Sequence, residues 1–172
     1  TLAWNDHRHM ELYYAVSGSG MVCHTINPKL FPEQVTYIIN HAEDKVLFVD
    51  VLVMPLLEAL KEHLSKVETI VVLTTKENMP ETSLTNVACY EELLAAQSDD
   101  YDWPQFDENT ASGMCYTSGT TGNPKGVVYS HRSTVLHALA GALPDVTRAS
   151  NMETSLPVVP MFHVNAWGAP YA

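Results

Sequence analysis

Eleven residues, Tyr116-Thr117-Ser118-Gly119-Thr120-Thr121-Gly122-Asn123-Pro124-Lys125-Gly126, gather three glycines, four Ser or Thr hydroxyls and one lysine. Together these residue types suit a polyphosphate. Glycines let backbone N–H groups come close to an anion. Hydroxyls donate to phosphate oxygens and can ligate magnesium, and a lysine brings a compact positive charge. The segment is not a Walker A loop, which requires G-x-x-x-x-G-K-[ST]. Counted from Gly119, the place of the second glycine is held by Pro124, and Lys125 is followed by Gly126. A flexible polar linker is the alternative for this composition. A linker, however, has no need of Pro124-Lys125 set between glycines, nor of strands immediately on both sides.

Charge points to the same place. The 172 residues carry 9 Lys+Arg against 20 Asp+Glu, a net charge of -11. That excludes a general nucleic-acid binder and argues against docking on an anionic membrane. Nine acids fall between Glu77 and Glu108, and from Glu77 to Thr147 the only cations are Lys125 and Arg132. A polyphosphate is repelled by most of this chain, so positive charge must be concentrated at the loop, with Mg²⁺ bridging phosphate oxygens. Apolar stretches are interrupted by Asp50, His163 and several prolines and are too short for a bilayer span. Cys23, Cys89 and Cys115 are odd in number and form no CxxC, which reads as buried thiols in a reducing compartment rather than a disulfide or zinc framework. His7 and His9, two apart on a helix, do not share a face and do not read as metal ligands.

The elements that must hold the loop alternate between helix and strand. Asn5 or Asp6 caps a helix to about Val16, ended by Gly18 and Gly20. A short strand over 21–26 leads to a helix opened by Pro32, with Val35, Ile38, Ile39 and Ala42 at helical spacing. Strands are expected over 46–49 and 69–73, with a helix from Pro55 between them carrying Leu57, Leu60 and Leu64 on one face. Residues 74–109 read as an acidic surface excursion with one short helix over 90–97, anchored by Trp103 and Phe106. Strands over 111–116 and 127–130 flank the loop. A helix over 131–143 follows, with Val135, Leu136, Leu139 and Leu143 turned inward. This order predicts an α/β fold with a largely parallel sheet and flanking helices. Length alone suggests one domain. Both ends look cut, and the expectation is a piece of something longer.

Residues 116–127, followed by Ser130-His131-Arg132, resemble the phosphate-loop signature of the AMP-forming acyl-CoA synthetase superfamily, which also holds peptide-synthetase adenylation domains and luciferases. A second block, Pro157-Val158-Val159-Pro160-Met161-Phe162-His163-Val164-Asn165-Ala166-Trp167, is similar to the P-[ML]-F-H block of the same family. The opening Thr1-Leu2-Ala3-Trp4-Asn5 and Asn40-His41-Ala42-Glu43-Asp44-Lys45 resemble the bacterial medium- and long-chain fatty acyl-CoA synthetases. The resemblance spans essentially the whole chain. It implies that residues 1–172 are part of the large N-terminal AMP-binding domain of the acyl-adenylate-forming fold, without the C-terminal domain.

The resemblance also implies a two-step reaction. A fatty-acid carboxylate attacks the α-phosphate of ATP, giving acyl-AMP and pyrophosphate, and the thiol of coenzyme A then displaces AMP. Like charges meet in the first step, so phosphate charge has to be shielded. By the resemblance, Thr117 helps hold Mg²⁺. Ser118, Gly119, Thr120, Thr121 and Gly122 cradle the β- and γ-phosphates, and Lys125 closes the loop. His163 lies near the reacting carboxylate and supports the adenylate. Its alternative is a satisfied histidine at a helix start. Val164 and Trp167 match positions beside the thioester channel, where Trp167 is either a gate to the acyl tunnel or simply core.

The family's later elements, a Tyr-Gly-x-Thr-Glu block, a ribose-binding aspartate and a lysine on a small C-terminal domain, do not occur in these residues. The expectation is a complete ligase that is active and a 172-residue piece that is not. Its partners are a carboxylic acid, ATP and coenzyme A, with no nucleic acid and no transmembrane segment. A cytoplasmic location and a homodimer follow from the resemblance alone. Alternatives are an aryl-CoA ligase, a peptide-synthetase adenylation domain, or a nucleotide-binding module without catalysis.

Overall fold

The computed structural model describes residues 1–117, 122–148, 150, 152 and 154–172. Ser118, Gly119, Thr120 and Thr121 lie outside the described residues. The chain divides into two units: residues 1–4, 26–102 and 118–125 in the first, and 5–25, 103–117 and 126–172 in the second.

Three short strands make the sheet of the first unit: β2 (Val46–Val49), β3 (Thr69–Val72) and β4 (Val87–Cys89), in the order β2-β3-β4. All pairings are parallel, with Val46 opposite Thr69 and Ile70 opposite Val87. Leu2 adds a parallel bridge to Val49. Parallel strands need crossovers, and helices supply them. Between Leu2 and β2 runs α2 (Pro32–Ala42), started by proline in its first turn and buried through Val35, Ile38 and Ile39. It stops at Glu43, which takes a left-handed φ of 58°. Between β2 and β3, α3 (Met54–Leu60) packs on α2, with Leu57 and Leu60 buried. Burying each such aliphatic side chain stabilises by about 1.5–3 kcal/mol. Strand β4 was not expected: Val87–Cys89 lies inside the acidic stretch and is followed by α4 (Tyr90–Ala95).

The second unit is built on β1 (Cys23–Thr25), β5 (Ala111–Thr117) and β6 (Lys125–Ser130), in the order β1-β5-β6. Strands β1 and β5 are parallel, with Cys23 opposite Gly113. Helix α1 (His7–Gly18) is capped by Asp6, whose carboxylate accepts from the His9 amide at 2.8 Å. Asn5 therefore does not cap. Its Nδ2 donates to the carbonyls of Pro157 and Val159, and its Oδ1 accepts from the Met161 amide at 2.6 Å. The Tyr13 hydroxyl donates to the Met161 carbonyl, and the Tyr171 hydroxyl donates to the Tyr13 carbonyl at 3.0 Å. Tyr13, Cys23, Met161 and Ala166 form the buried cluster beneath. The segment from 157 to 171 is thus tied to α1. Trp103, although half exposed, lies against Gly18, and the Phe106 ring is tilted against that of His131 with centroids 4.5 Å apart.

Helix α5 (His131–Gly141) corrects one expectation. Val135, Leu136, Leu139 and Leu143 do not face inward; all are exposed, Leu139 at 65%. The helix packs on β5 and on the segment Val164–Tyr171 through a different stripe. Ala138 is its buried residue, and the Thr134 hydroxyl meets that of Ser112 at 3.1 Å.

Candidate functional site

The phosphate-loop signature leaves the end of β5 and returns as β6. Thr117, the last residue of β5, is exposed, and so are Gly122 and Lys125. Among the described residues no helix starts between β5 and β6. Helix α5 begins only after β6 has run its length, and Pro124 and Gly126 stand where a Walker A loop needs its second glycine and its Ser or Thr. Gly126 has a steric reason to be glycine: a Cβ there would stand 3.2 Å from the Tyr116 ring. That ring in turn lies 5.3 Å from His24, centroid to centroid. Arg132, the other cation of the acidic stretch, is engaged with Glu108 at 2.5 Å. Among the described residues Lys125 has no such carboxylate partner. Lys125 falls in the first unit and Thr117 in the second.

The second block sits wholly in the second unit. His163 is exposed, not a buried satisfied histidine. Its amide donates to the Pro160 carbonyl and its carbonyl accepts from the Ala166 amide, both at 2.9 Å. After it the chain takes an unusual path: Val164, Asn165, Ala166 and Trp167 have φ between 48° and 56°, and Gly168 has φ 70°. This is a left-handed turn made mostly of L-residues with side chains, one of them β-branched. Such angles cost about 1–2 kcal/mol per residue and persist only where the surroundings over-determine them. Here Asn165 and Ala166 are buried.

The turn forms one wall of a cleft of about 370 Å³. Val164, Trp167, Tyr129 and Tyr171 give it an apolar lining, while Ser112, Ser133, Thr134, His137 and Asn165 add polar groups. The Ser112 hydroxyl is already engaged, donating to the Tyr129 carbonyl at 3.2 Å. Asn165 differs: it is only 9% exposed, and its Oδ1 has no hydrogen-bond partner among the described residues. Trp167 is 64% exposed and so is not core. Val164 and Trp167 therefore share one cleft, as their common block suggested, and His163 precedes it in the chain without lining it.

Of the residues that line the cleft, the sequence reading singled out only Val164 and Trp167; His137, Tyr129 and Asn165 are among those it missed. A signal for His137 did exist. Thr134, Ala138 and Gly141 recur at helical spacing with it, as a stripe of small and polar residues beside the apolar one. The three cysteines are free and buried, and burial pushes the Cys23 thiol up to about 11, so it is no nucleophile near neutral pH. Among the described residues no three His, Cys, Asp or Glu side chains gather as a metal cluster, and no helix is long and apolar enough to cross a membrane. A second depression, of about 240 Å³ near Lys61, Leu64 and Ser83, is lined by none of the candidate site residues named from the sequence.

Comparison with known proteins agrees with this geometry. The chain is 56% identical to a medium-chain-fatty-acid–CoA ligase of Ectopseudomonas oleovorans over 172 residues, all of this chain and 32% of that relative. It is also 56% identical to a 3-methylmercaptopropionyl-CoA ligase of Ruegeria lacuscaerulensis, over 99% of this chain and 32% of the relative. The fold matches the crystal structure of a long-chain-fatty-acid–CoA ligase from Archaeoglobus fulgidus with a TM-score of 0.81 at 25% identity, covering 97% of this chain and 31% of that one. The chain thus spans about a third of the length of the curated relatives it matches. A model of the AMP-binding enzyme family matches residues 1–172. With a strand-borne loop in place of a P-loop and a parallel α/β frame shared with solved ligases, this chain belongs to the AMP-binding enzyme family.

Proposed function

We propose that these residues are part of the N-terminal domain of an AMP-forming acyl-CoA ligase that activates a fatty acid with ATP and passes the acyl group to coenzyme A. The observation that carries the reading is the cleft. Val164 and Trp167, named for the acyl end, open onto one apolar space, which is what an alkyl chain needs. On the phosphate side of the reaction, the resemblance supports Thr117, Ser118, Gly119, Thr120, Thr121, Gly122 and Lys125 as the residues that take the β- and γ-phosphates, and His163 as the one that supports the adenylate. Thr117 would offer Mg²⁺ a hard oxygen donor, which suits an ion that takes few protein ligands. Magnesium, when bound, neutralises phosphate charge as the carboxylate approaches. The ligase works in the cytoplasm, as a homodimer, and the 172-residue piece alone does not turn over.

The equal identity to the 3-methylmercaptopropionyl-CoA ligase favours a second reading, in which the acid is short and carries sulfur. The test is acid-dependent ATP–pyrophosphate exchange and thioester formation by the full-length protein across short, medium and long acids. Medium-chain acids are expected to be best. The Lys125→Ala variant should lose about 10- to 100-fold in kcat/KM for ATP, the worth of one charge-assisted phosphate contact, with a far smaller change in acid binding. A full-length protein that forms no thioester with any acid would overturn the proposal.

A further inference from the structure

His137 is not in either signature block, yet it touches the turn at its most unusual point. Its Nε2 lies 2.9 Å from the carbonyl oxygen of Trp167. A carbonyl only accepts, so the proton of that bond sits on Nε2. The same ring presses on the next residue: a Cβ at Gly168 would stand 2.6 Å from the His137 Cδ2 and 3.1 Å from Nε2. Gly168 also has the φ of 70° that glycine tolerates best. The imidazole is therefore fitted to the left-handed end of the turn by a hydrogen bond and by close packing together.

The Trp167 side chain cannot hold this conformation by itself, being 64% exposed. Its direction is set by the backbone at 167 and 168, the two residues His137 contacts. His137, Trp167 and Val164 all line the cleft. We infer that His137 is the positioning residue of the acid-binding cleft: it pins the left-handed turn over 164–168 and through it fixes Trp167, so that it governs which acids fit. This inference rests on the reading of the cleft as the acyl site.

The test uses the full-length protein with two variants. In His137→Ala, amide hydrogen exchange over 164–168 should rise by about tenfold, as expected when one hydrogen bond holding a strained turn is lost. KM for a medium-chain acid should change by about five- to tenfold and the preference between short and medium acids should shift, with KM for ATP within about twofold. His137→Gln, whose amide nitrogen can donate in place of Nε2, should recover most of both effects. Unchanged exchange over 164–168 in the alanine variant would overturn the inference. So would equal changes in the acid and ATP constants, or a folded glutamine variant that recovers nothing. A wild-type protein without ligase activity would instead remove the functional reading, while the exchange measurement would still decide whether His137 holds the turn.

Discussion

Helices α2 and α5 carry similar apolar spacing and come to opposite ends. In α2, Val35, Ile38 and Ile39 are buried, and the helix has no side-chain cap; the Gln34 side chain instead accepts from the Phe31 amide at 3.3 Å. In α5, Val135, Leu136 and Leu139 are exposed, and the start is capped well. The Ser130 hydroxyl accepts from the Ser133 amide at 3.2 Å, and the Ser133 hydroxyl donates to the Ser130 carbonyl at 2.9 Å. One helix is held by what it covers and the other by how it begins. Periodicity reports which side of a helix is apolar, but not which side finds a neighbour. For α5 the neighbours are β5 and the 164–171 segment, and they take the stripe of Thr134, His137 and Ala138. The cleft follows the same division, since Thr134 and His137 of that small and polar stripe line it.

The contrast can be broken by substitution. Ile39→Ala, at a fully buried position, should destabilise by about 2–5 kcal/mol, read from the urea midpoint; a loss below about 1 kcal/mol would mean that α2 is not held by packing. Ser130→Ala should loosen α5 by about 1 kcal/mol, seen as faster exchange of its first-turn amides and no change in α2. A polar fastening on α3, the helix under α2, sharpens the comparison through pH. Glu58 accepts from the Ser83 hydroxyl and amide and from the Thr82 hydroxyl, and these bonds bring its carboxyl down from the ordinary 4.5 to about 2. A lowered pKa stabilises above the unfolded value and loses that effect as pH falls through the folded one. Glu58→Gln should therefore flatten the decline in stability between pH 4.5 and 2; an unaltered acid limb would show these bonds to be idle. Leu139→Ala should do least, within about 0.5 kcal/mol, and a loss of 2 kcal/mol or more would mean that the exposed stripe is covered in solution.

What could be read from the residues has a physical pattern. Pro32 and Pro55 sit at helix starts because the missing N–H does no harm there, and the starts of α2 and α3 were legible for that reason; the end of α3 was not, since it stops at Leu60, short of the expected Leu64. Strands β2 and β3, buried and β-branched, stand out from their turn-rich flanks. Strand β4 does not. Its three residues lie between acids and turn formers, and only pairing with β3 makes them a strand. Of the proposed site residues, Lys125 was named from residue type and Thr117 from the resemblance, and both are exposed. Asn165 was not named, because its place depends on a backbone of the wrong hand for L-residues, which no local preference in Val164-Asn165-Ala166-Trp167 announces, and His137 was marked only by the small and polar stripe of α5. Asn5 shows the same limit: a good capping residue by type, it was drawn away by backbone groups more than 150 positions along the chain.

The left-handed turn also bears on how this chain can drift by mutation. Glycine is the residue that best tolerates its angles, and Val164, Ala166 and Trp167 are each a single base change from a glycine codon. The genetic route to a relaxed turn is therefore short. Each step along it strips away something the cleft uses: a wall at 164, buried packing at 166, the indole at 167. Variants that gain backbone ease here would be recovered readily in a screen for folding, and would be lost in a screen for acid selection.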